Sequence, residues 1–177
     1  MIGLLGGSFD PPHNGHVALA KGALEKLPID RLIVLVAERP GHREPPVVGA
    51  ETRLQLARAA FPEAEVQLEP HPFTVDAVRG SRFDDAVLIL GADQAAAFDR
   101  WKDPEEILKW VKVAFGSRAG YPQPDLSRYG DRILTFELDS PEISSSEVRE
   151  RVAAGETVAD LVPPAVARLI DELGLYS

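Results

Sequence analysis

The sequence predicts an α/β fold: a Rossmann-like, mostly parallel sheet with helices on both faces and a C-terminal helical segment. Short apolar runs such as residues 32–37 and Ala86–Leu90 are unbroken and rich in branched side chains, which is typical of strands buried on both faces of a parallel sheet. Amphipathic segments separate these runs, and no hairpin signal joins them. This alternation indicates βαβ units.

The elements follow in order along the chain. The predicted strands are residues 2–5, 32–37, Glu65–Glu69, Ala86–Leu90, 111–116 and 133–138. The predicted helices are residues 17–27, Ala50–Ala60, 145–154 and Pro164–Leu173. The first of these helices has apolar residues at helical spacing, and the third follows a serine cap. No repeat or long linker interrupts the pattern, so a single domain over residues 1–177 is expected.

The composition narrows the class of protein. The chain has no cysteine, which rules out disulfides, thiolate metal sites and a cysteine nucleophile, and fits a reducing cytoplasm. Its start lacks the pattern of a signal peptide, and no apolar run approaches the ~18 residues of a membrane span. A soluble, cytoplasmic protein without a membrane partner is therefore expected. The net charge of −9 argues against a nucleic-acid partner, while a homo-oligomer is left open.

Residues 6–16 form what we call the first loop, which connects the first predicted strand to the first helix. Backbone N–H groups at such a place can hold phosphate, and Gly6 and Gly7 allow close backbone approach. His13 and His16 share one face of a helical turn, where they could donate hydrogen bonds to phosphate oxygens. The loop matches neither a Walker motif nor GxGxxG, and HExxH is absent. A plain glycine turn is the structural alternative.

Residues 143–149, the late loop, form a second candidate site. Ser144 and Glu147 have the spacing of a capping box, so a helix should begin here. Hydroxyl groups at that helix start, with Arg149 just inside it, also make an anion site. A simple cap explains the loop equally well when it is taken alone, but its occurrence together with the first loop favours anion binding.

The two loops, GGSFDPPHNGH and ISSSEVR, resemble those of nucleotidyltransferases that carry HxGH near the N-terminus and ISSxxxR near the C-terminus. Among these the chain is most similar to bacterial nicotinate-nucleotide adenylyltransferases, and the likeness runs essentially end to end. Further resembling segments are His42-Arg43, FTVD at residues 73–76, LGAD at residues 90–93 followed by Trp101, and RAGY at residues 118–121. The acceptor side departs most from the family pattern, with Arg43 in place of lysine and Ala119 in place of proline.

The resemblance implies a role for each matching residue. The catalytic residues would be His13, His16 and Arg149. The ATP-binding residues would be Gly6, Gly7, Ser8, Phe9, His13, His16, Gly91, Asp93, Ile143, Ser144, Ser145, Ser146 and Arg149. The residues that bind the pyridine nucleotide would be Arg43, Thr74, Asp76, Trp101 and Arg118. Trp101 would stack on the pyridine ring, although a hydrophobic cluster with Phe98 and Trp110 is the plain alternative. Mg²⁺ is expected with ATP as substrate, and no metal site on the protein is predicted.

The implied reaction is adenylyl transfer from ATP to nicotinate mononucleotide, a step of NAD biosynthesis. Transfer to nicotinamide mononucleotide is one alternative. Another is pantetheine-phosphate adenylyltransferase, which shares the GSFDP…GH opening but lacks the HPFT and GAD…W segments. Glycerol-phosphate cytidylyltransferase is more distant. A nucleotide-binding sensor without catalysis is the alternative from a different class.

Overall fold

A computed structural model describes residues 1–41, 44–80, 82–117 and 124–177. The strands are β1 (Ile2–Gly7), β2 (Arg31–Ala37), β3 (Glu65–Glu69), β4 (Ala86–Leu90), β5 (Lys112–Ser117) and β6 (Ile133–Glu137). The α-helices are α1 (Asn14–Lys26), α2 (Ala50–Ala60), α3 (Thr74–Val78), α4 (Ala92–Ala97), α5 (Pro104–Trp110), α6 (Ser145–Ala153) and α7 (Pro164–Leu173). Short 3₁₀ helices cover Phe98–Arg100 and Ser127–Arg132.

The strands form one sheet in the order β3-β2-β1-β4-β5-β6, and every pair is parallel. Strand β1 lies centrally, with Ile2 opposite Arg31 on one side and Ala86 on the other. The chain builds outward from β1 to β3 and then returns to place β4 on the opposite side of β1. Ligands bind beyond the carboxyl ends of the strands at such a switch point.

Both faces of the sheet are covered by helices, as the sequence predicted. Neighbouring residues of a strand point to opposite faces, so Leu5 and Val34 belong to one core cluster whereas Leu4 and Ile33 belong to the other. Helices α1, α2, α6 and α7 bury residues in the first cluster. Helices α3, α4 and α5 bury residues in the second. No helix in the described part of the chain is long and apolar enough to cross a membrane.

The main differences from the sequence prediction concern short helices and element ends. Helices α3, α4 and α5 have five to seven residues and were not predicted individually, because helices this short depend on tertiary packing rather than on a periodic pattern. Helix α1 begins at Asn14 rather than at Val17. The earlier start places His16 in its first turn.

Candidate active site

His13 and His16 lie together at the start of α1, as their spacing predicted. His13 immediately precedes the helix, and the centroids of the two imidazole rings are 3.7 Å apart, with the rings tilted by 31°. The backbone N–H of His13 donates to Nδ1 of His16 at 3.2 Å. A ring nitrogen that accepts a hydrogen bond carries no hydrogen, so the ring hydrogen of His16 lies on Nε2. That atom is then a hydrogen-bond donor.

The His13 ring is buried against the helix. Its exposed fraction is 7%, and Nδ1 has no hydrogen-bond partner among the described residues. Burial lowers the pKa of His13 from 6.5 to about 4, because desolvation penalises the charged ring. His13 is therefore neutral at pH 7. A Cβ atom on Gly15 would lie 3.0 Å from Nδ1 and Cε1 of His13, which explains why glycine separates the histidines.

Asp10 anchors the first loop to two distant parts of the chain. Its buried carboxylate accepts hydrogen bonds from the backbone N–H groups of Val47 at 2.7 Å and Val48 at 3.4 Å. It also accepts a bond from the hydroxyl of Tyr176 at 2.8 Å. Burial and then this bond raise the pKa of the Tyr176 hydroxyl. The carboxylate thereby joins the first loop to the segment before α2 and to the C-terminal end.

Arg53, in the first turn of α2, is a second anchor, with an exposed fraction of 1%. Its guanidinium donates to the backbone carbonyls of Ser8 at 2.8 Å, Ala37 at 2.7 Å, Glu38 at 3.1 Å and Val48 at 3.1 Å. Burial lowers the pKa of Arg53. One buried side chain therefore connects the first loop, the end of β2 and the start of α2.

The late loop caps α6 and packs directly on the first loop. Ser144 precedes the helix, and its hydroxyl accepts the N–H of Glu147 at 3.1 Å, which confirms the predicted cap. The hydroxyl of Ser145 donates to the carbonyl of Pro11 at 2.8 Å. Residues more than 130 positions apart in the sequence are thus in contact.

Arg149 completes this junction. One nitrogen of its guanidinium donates to the carbonyl of Asp10 at 2.8 Å, and another donates to the hydroxyl of Ser146 at 3.1 Å. The starts of α1 and α6 therefore meet around residues 10–13, together with a cation and several hydroxyl and N–H donors. Helix N-termini favour anions, so the junction is suited to a polyphosphate.

A cleft opens beside the first loop on the face of the sheet covered by α3. It is lined by Gly6, Gly7, Ser8, Leu35, Ala37, Pro40, Glu69, His71, Pro72, Thr74, Ala77, Val78, Leu88, Leu90, Gln94 and Trp101. Most of its wall is apolar. The half-buried Trp101 contributes to this wall and also packs on Phe98, with a centroid separation of 5.6 Å. Trp101 therefore belongs both to the cleft wall and to a hydrophobic cluster with Phe98.

The other residues predicted to bind the pyridine nucleotide do not all lie in the cleft. Thr74 lines the cleft, whereas Asp76 is not among the lining residues. The carboxylate of Asp76 instead forms ion pairs with Lys102 at 3.0 Å and Arg79 at 3.8 Å. Arg43 and Arg118 lie outside the described residues.

The other residues predicted to bind ATP lie in three different surroundings. The Phe9 ring is fully buried and packs edge-on against His16 and Phe61, so the ring supports the first loop. Asp93 is exposed in the first turn of α4, which Gly91 precedes. Ile143 packs against the core.

Sequence reasoning assigned no role to the two anchors, Asp10 and Arg53, or to the cleft residues Glu69 and His71, although Asp10 and His71 stand in the GGSFDPPHNGH and HPFT segments. Arg53 alone among them carried a periodic signal: it shares the helical spacing of the buried residues Ala57 and Ala60. An arginine on the apolar stripe of a helix indicates a buried, hydrogen-bonded guanidinium. Asp10, Glu69 and His71 lie in irregular segments or at a strand end, where no periodic pattern marks them.

Comparison with known proteins identifies the family. Residues 4–151 match the model of the cytidylyltransferase-like family. The chain belongs to this family. Within it, the chain belongs with the nicotinate-nucleotide adenylyltransferases. A relative from Rhodopirellula baltica, named probable nicotinate-nucleotide adenylyltransferase, is 38% identical over 99% of this chain and 92% of its own. A relative of the same name from Exiguobacterium sibiricum is 34% identical over 99% of this chain and 98% of its own.

Comparison with solved structures supports the fold. A Plasmodium falciparum nicotinic acid mononucleotide adenylyltransferase, solved in complex with NaAD, superposes with a TM-score of 0.77 at 16% identity. The alignment covers 99% of this chain and 96% of that chain. At this identity the likeness establishes the fold, and both the predicted fold class and the predicted family are confirmed.

Replacing Arg53 with methionine should lower the free energy of unfolding by about 2–4 kcal/mol, because buried carbonyls would lose their donor. Urea denaturation measures the change. Arg58→Met is the matched control: Arg58 lies on the exposed face of the same helix, so its replacement should cost less than about 0.5 kcal/mol. Equal effects of the two substitutions would contradict the anchoring role of Arg53.

Acid should destabilise the protein through His13. The pKa of His13 is about 4 in the folded protein against 6.5 for the ordinary group, so the unfolded chain binds more protons between these values. Stability should therefore fall as the pH drops from 6.5 towards 4, with a slope from this group of at most about 1.4 kcal/mol per pH unit. Chemical denaturation of the wild type and of His13→Gln across this range isolates the contribution. Parallel curves for the two proteins would disprove it.

Proposed function

We propose that the protein transfers the adenylyl group of ATP to nicotinate mononucleotide, giving deamido-NAD and pyrophosphate in the biosynthesis of NAD. The observation that carries this proposal is the contact between the two loops, in which Arg149 lies against the backbone that leads into the His13–His16 pair. The relatives in this family are named for the same reaction.

The junction of α1 and α6 is the proposed site for the phosphates of ATP. Arg149 and the hydroxyls at the start of α6 would hold the terminal phosphates, while Nε2 of His16 would donate to the oxygens of the reacting phosphorus. Charge-assisted hydrogen bonds from a guanidinium suit phosphate. The converging helix starts add positive potential, which locally offsets the protein's net charge of −9.

The adenylyl transfer needs correct orientation of its two substrates more than it needs a general base. The second pKa of a phosphate monoester is about 6, so the acceptor phosphate is already ionised at neutral pH. Its oxygen attacks the α-phosphorus of ATP in line, and the bond to pyrophosphate breaks. His13 is neutral at pH 7, so it brings no positive charge to the phosphates. Positioning and neutralisation of developing charge carry such a transfer. Mg²⁺ enters as part of the ATP substrate, because this ion prefers phosphate oxygens and water.

The apolar cleft is the proposed site for the pyridine nucleotide. A ring stacked on Trp101 gains about 1–3 kcal/mol if it behaves like a stacked base, and Thr74 lies in the same cleft. A wall that includes a flat aromatic side chain suits a planar ring better than the flexible chain of a pantetheine. This observation favours a pyridine acceptor.

We place the reaction in the cytoplasm, in keeping with a chain that contains no cysteine.

Kinetic assays with a panel of acceptors test the proposal. With ATP and Mg²⁺, release of pyrophosphate should have the highest kcat/KM for nicotinate mononucleotide, because the cleft must recognise the charge that distinguishes it from the amide form. Nicotinamide mononucleotide and phosphopantetheine serve as the competing acceptors, and chromatography identifies the product. A higher kcat/KM for either competitor would overturn the acceptor assignment. ATP binding without turnover on any acceptor would favour the sensor.

Replacing Arg149 with alanine should raise the KM for ATP about tenfold or more, since a charged hydrogen-bond donor to phosphate is lost. It should also weaken inhibition by pyrophosphate, with little change in the KM for the acceptor. Arg151→Ala is the matched control, because Arg151 lies on the same helix but pairs with Glu147 and Asp160. If both variants keep a normal KM for ATP, Arg149 is a structural residue.

A further inference from the structure

A buried carboxylate fixes a histidine at the edge of the cleft. Glu69 ends β3, and its exposed fraction is 5%. One carboxylate oxygen accepts both Nδ1 of His71 at 2.7 Å and the backbone N–H of His71 at 3.0 Å. The other oxygen accepts the guanidinium of Arg82 at 2.6 Å. Arg82 thus balances the buried charge, while Glu69 holds both the backbone and the ring of His71 in place.

This pair differs from the rest of the cleft wall. Among the described residues that line the cleft, only Glu69 and His71 have ionisable side chains. An ionised carboxylate is an acceptor only, so Nδ1 of His71 must donate to it. The remaining polar atom of the ring is Nε2. Trp101 and Thr74 line the same cleft, so an aromatic ring bound there would share the cleft with the His71 side chain.

The sheet order indicates which end of the acceptor lies near His71. The acceptor phosphate must reach the phosphates of ATP at the end of β1, where His13 and His16 begin α1. Strand β3 lies two places from β1 in the sheet, and at a spacing of about 4.8 Å per strand the lateral separation is roughly 10 Å. His71, which follows β3, is therefore suited to the end of the acceptor that is remote from the reaction.

We propose that His71 is a specificity-determining residue whose Nε2–H donates to the ring carboxylate of the acceptor, and that Glu69 is its positioning residue. The proposal rests on the proposed function. A carboxylate only accepts hydrogen bonds, so it can pair with this Nε2–H. With Nδ1–H donating to Glu69 as well, the ring in the bound complex carries two hydrogens and a positive charge. A carboxamide brings no charge and so gains less from this group. His71 would thereby favour the acidic mononucleotide over its amide form.

Two substitutions separate the two nitrogens of the ring. In His71→Asn, the amide nitrogen occupies the place of Nδ1 and still reaches Glu69, but nothing replaces Nε2. In His71→Gln, the amide nitrogen reaches the place of Nε2, so a donor to the ligand is kept without the charge.

We expect His71→Asn to lower kcat/KM for nicotinate mononucleotide about tenfold to a hundredfold, the effect of one lost charged hydrogen bond. The KM for ATP, kcat/KM for the amide form and the melting temperature should stay near wild type, and His71→Gln should restore part of the preference.

Three kinetic outcomes would overturn the proposal. An equal loss for both mononucleotides would place the contact on the ribose phosphate that they share, or would show a structural role if the melting temperature also falls. Unchanged kinetics in His71→Asn would exclude a contact. A wild-type preference for the amide that His71→Asn abolishes would show that Nε2 acts as an acceptor instead.

Calorimetric titration of each mononucleotide, in the presence of a non-hydrolysable ATP analogue, separates this inference from the proposed function. Tighter binding of the acidic form that is lost in His71→Asn would support the inference, even if the enzyme made no dinucleotide and the proposed function failed. Normal dinucleotide synthesis with an unchanged acceptor preference in His71→Asn would overturn the inference alone. Binding of neither mononucleotide would overturn both.

Discussion

The site depends on how the first loop satisfies its own backbone. Between the end of β1 and the start of α1 the chain has no regular hydrogen-bonding pattern, yet buried carbonyl groups need donors. Side chains from later segments supply them: Arg53 donates to Ser8, Arg149 to Asp10 and Ser145 to Pro11. The position of the histidines therefore depends on groups placed by α2 and α6. Until those helices pack, the carbonyls of Ser8, Asp10 and Pro11 lack these donors.

The buried charged side chains of the site hold its backbone segments in position, but burying them lowers the stability of the fold. Taking an ionised group out of water costs several kcal/mol unless hydrogen bonds replace the lost hydration. Asp10 and Arg53 meet this condition with three and four hydrogen bonds respectively. Apolar side chains could fill the same space without that cost, but they could not orient the carbonyl and N–H groups of three separate segments. The arrangement also leaves Arg149 at the junction, partly exposed and close to where anionic substrates would bind.

The sequence predicted the regular frame of the fold well and the irregular parts poorly. Helix α2 and strands β3 and β4 have the predicted bounds, because an amphipathic stripe and an apolar run are local signals. The sequence linked the two loops only through the anion binding that both suggest, and it did not predict the hydrogen bonds that join them. The hydrogen bond from Tyr176 to Asp10 could not be anticipated, because its partners are 166 residues apart and neither side chain has a distinctive spacing. Likewise, the strand pattern of β3 marks Glu69 only as a polar end, and its burial becomes evident only once His71 and Arg82 fold over it.

The topology assigns the two tasks of the site to different parts of the chain. The groups suited to phosphate come from the start of α1 and the start of α6, at the end of the central strand. The groups suited to the acceptor come from β3, α3 and the segment after α4. In the acceptor part, Ala77 is buried and lines the cleft. Since alanine offers no hydrogen bond, polar recognition at this end falls to the few other groups in the wall. On the proposed assignment, substitutions between residues 69 and 78 should change the choice of acceptor without moving the groups at the starts of α1 and α6.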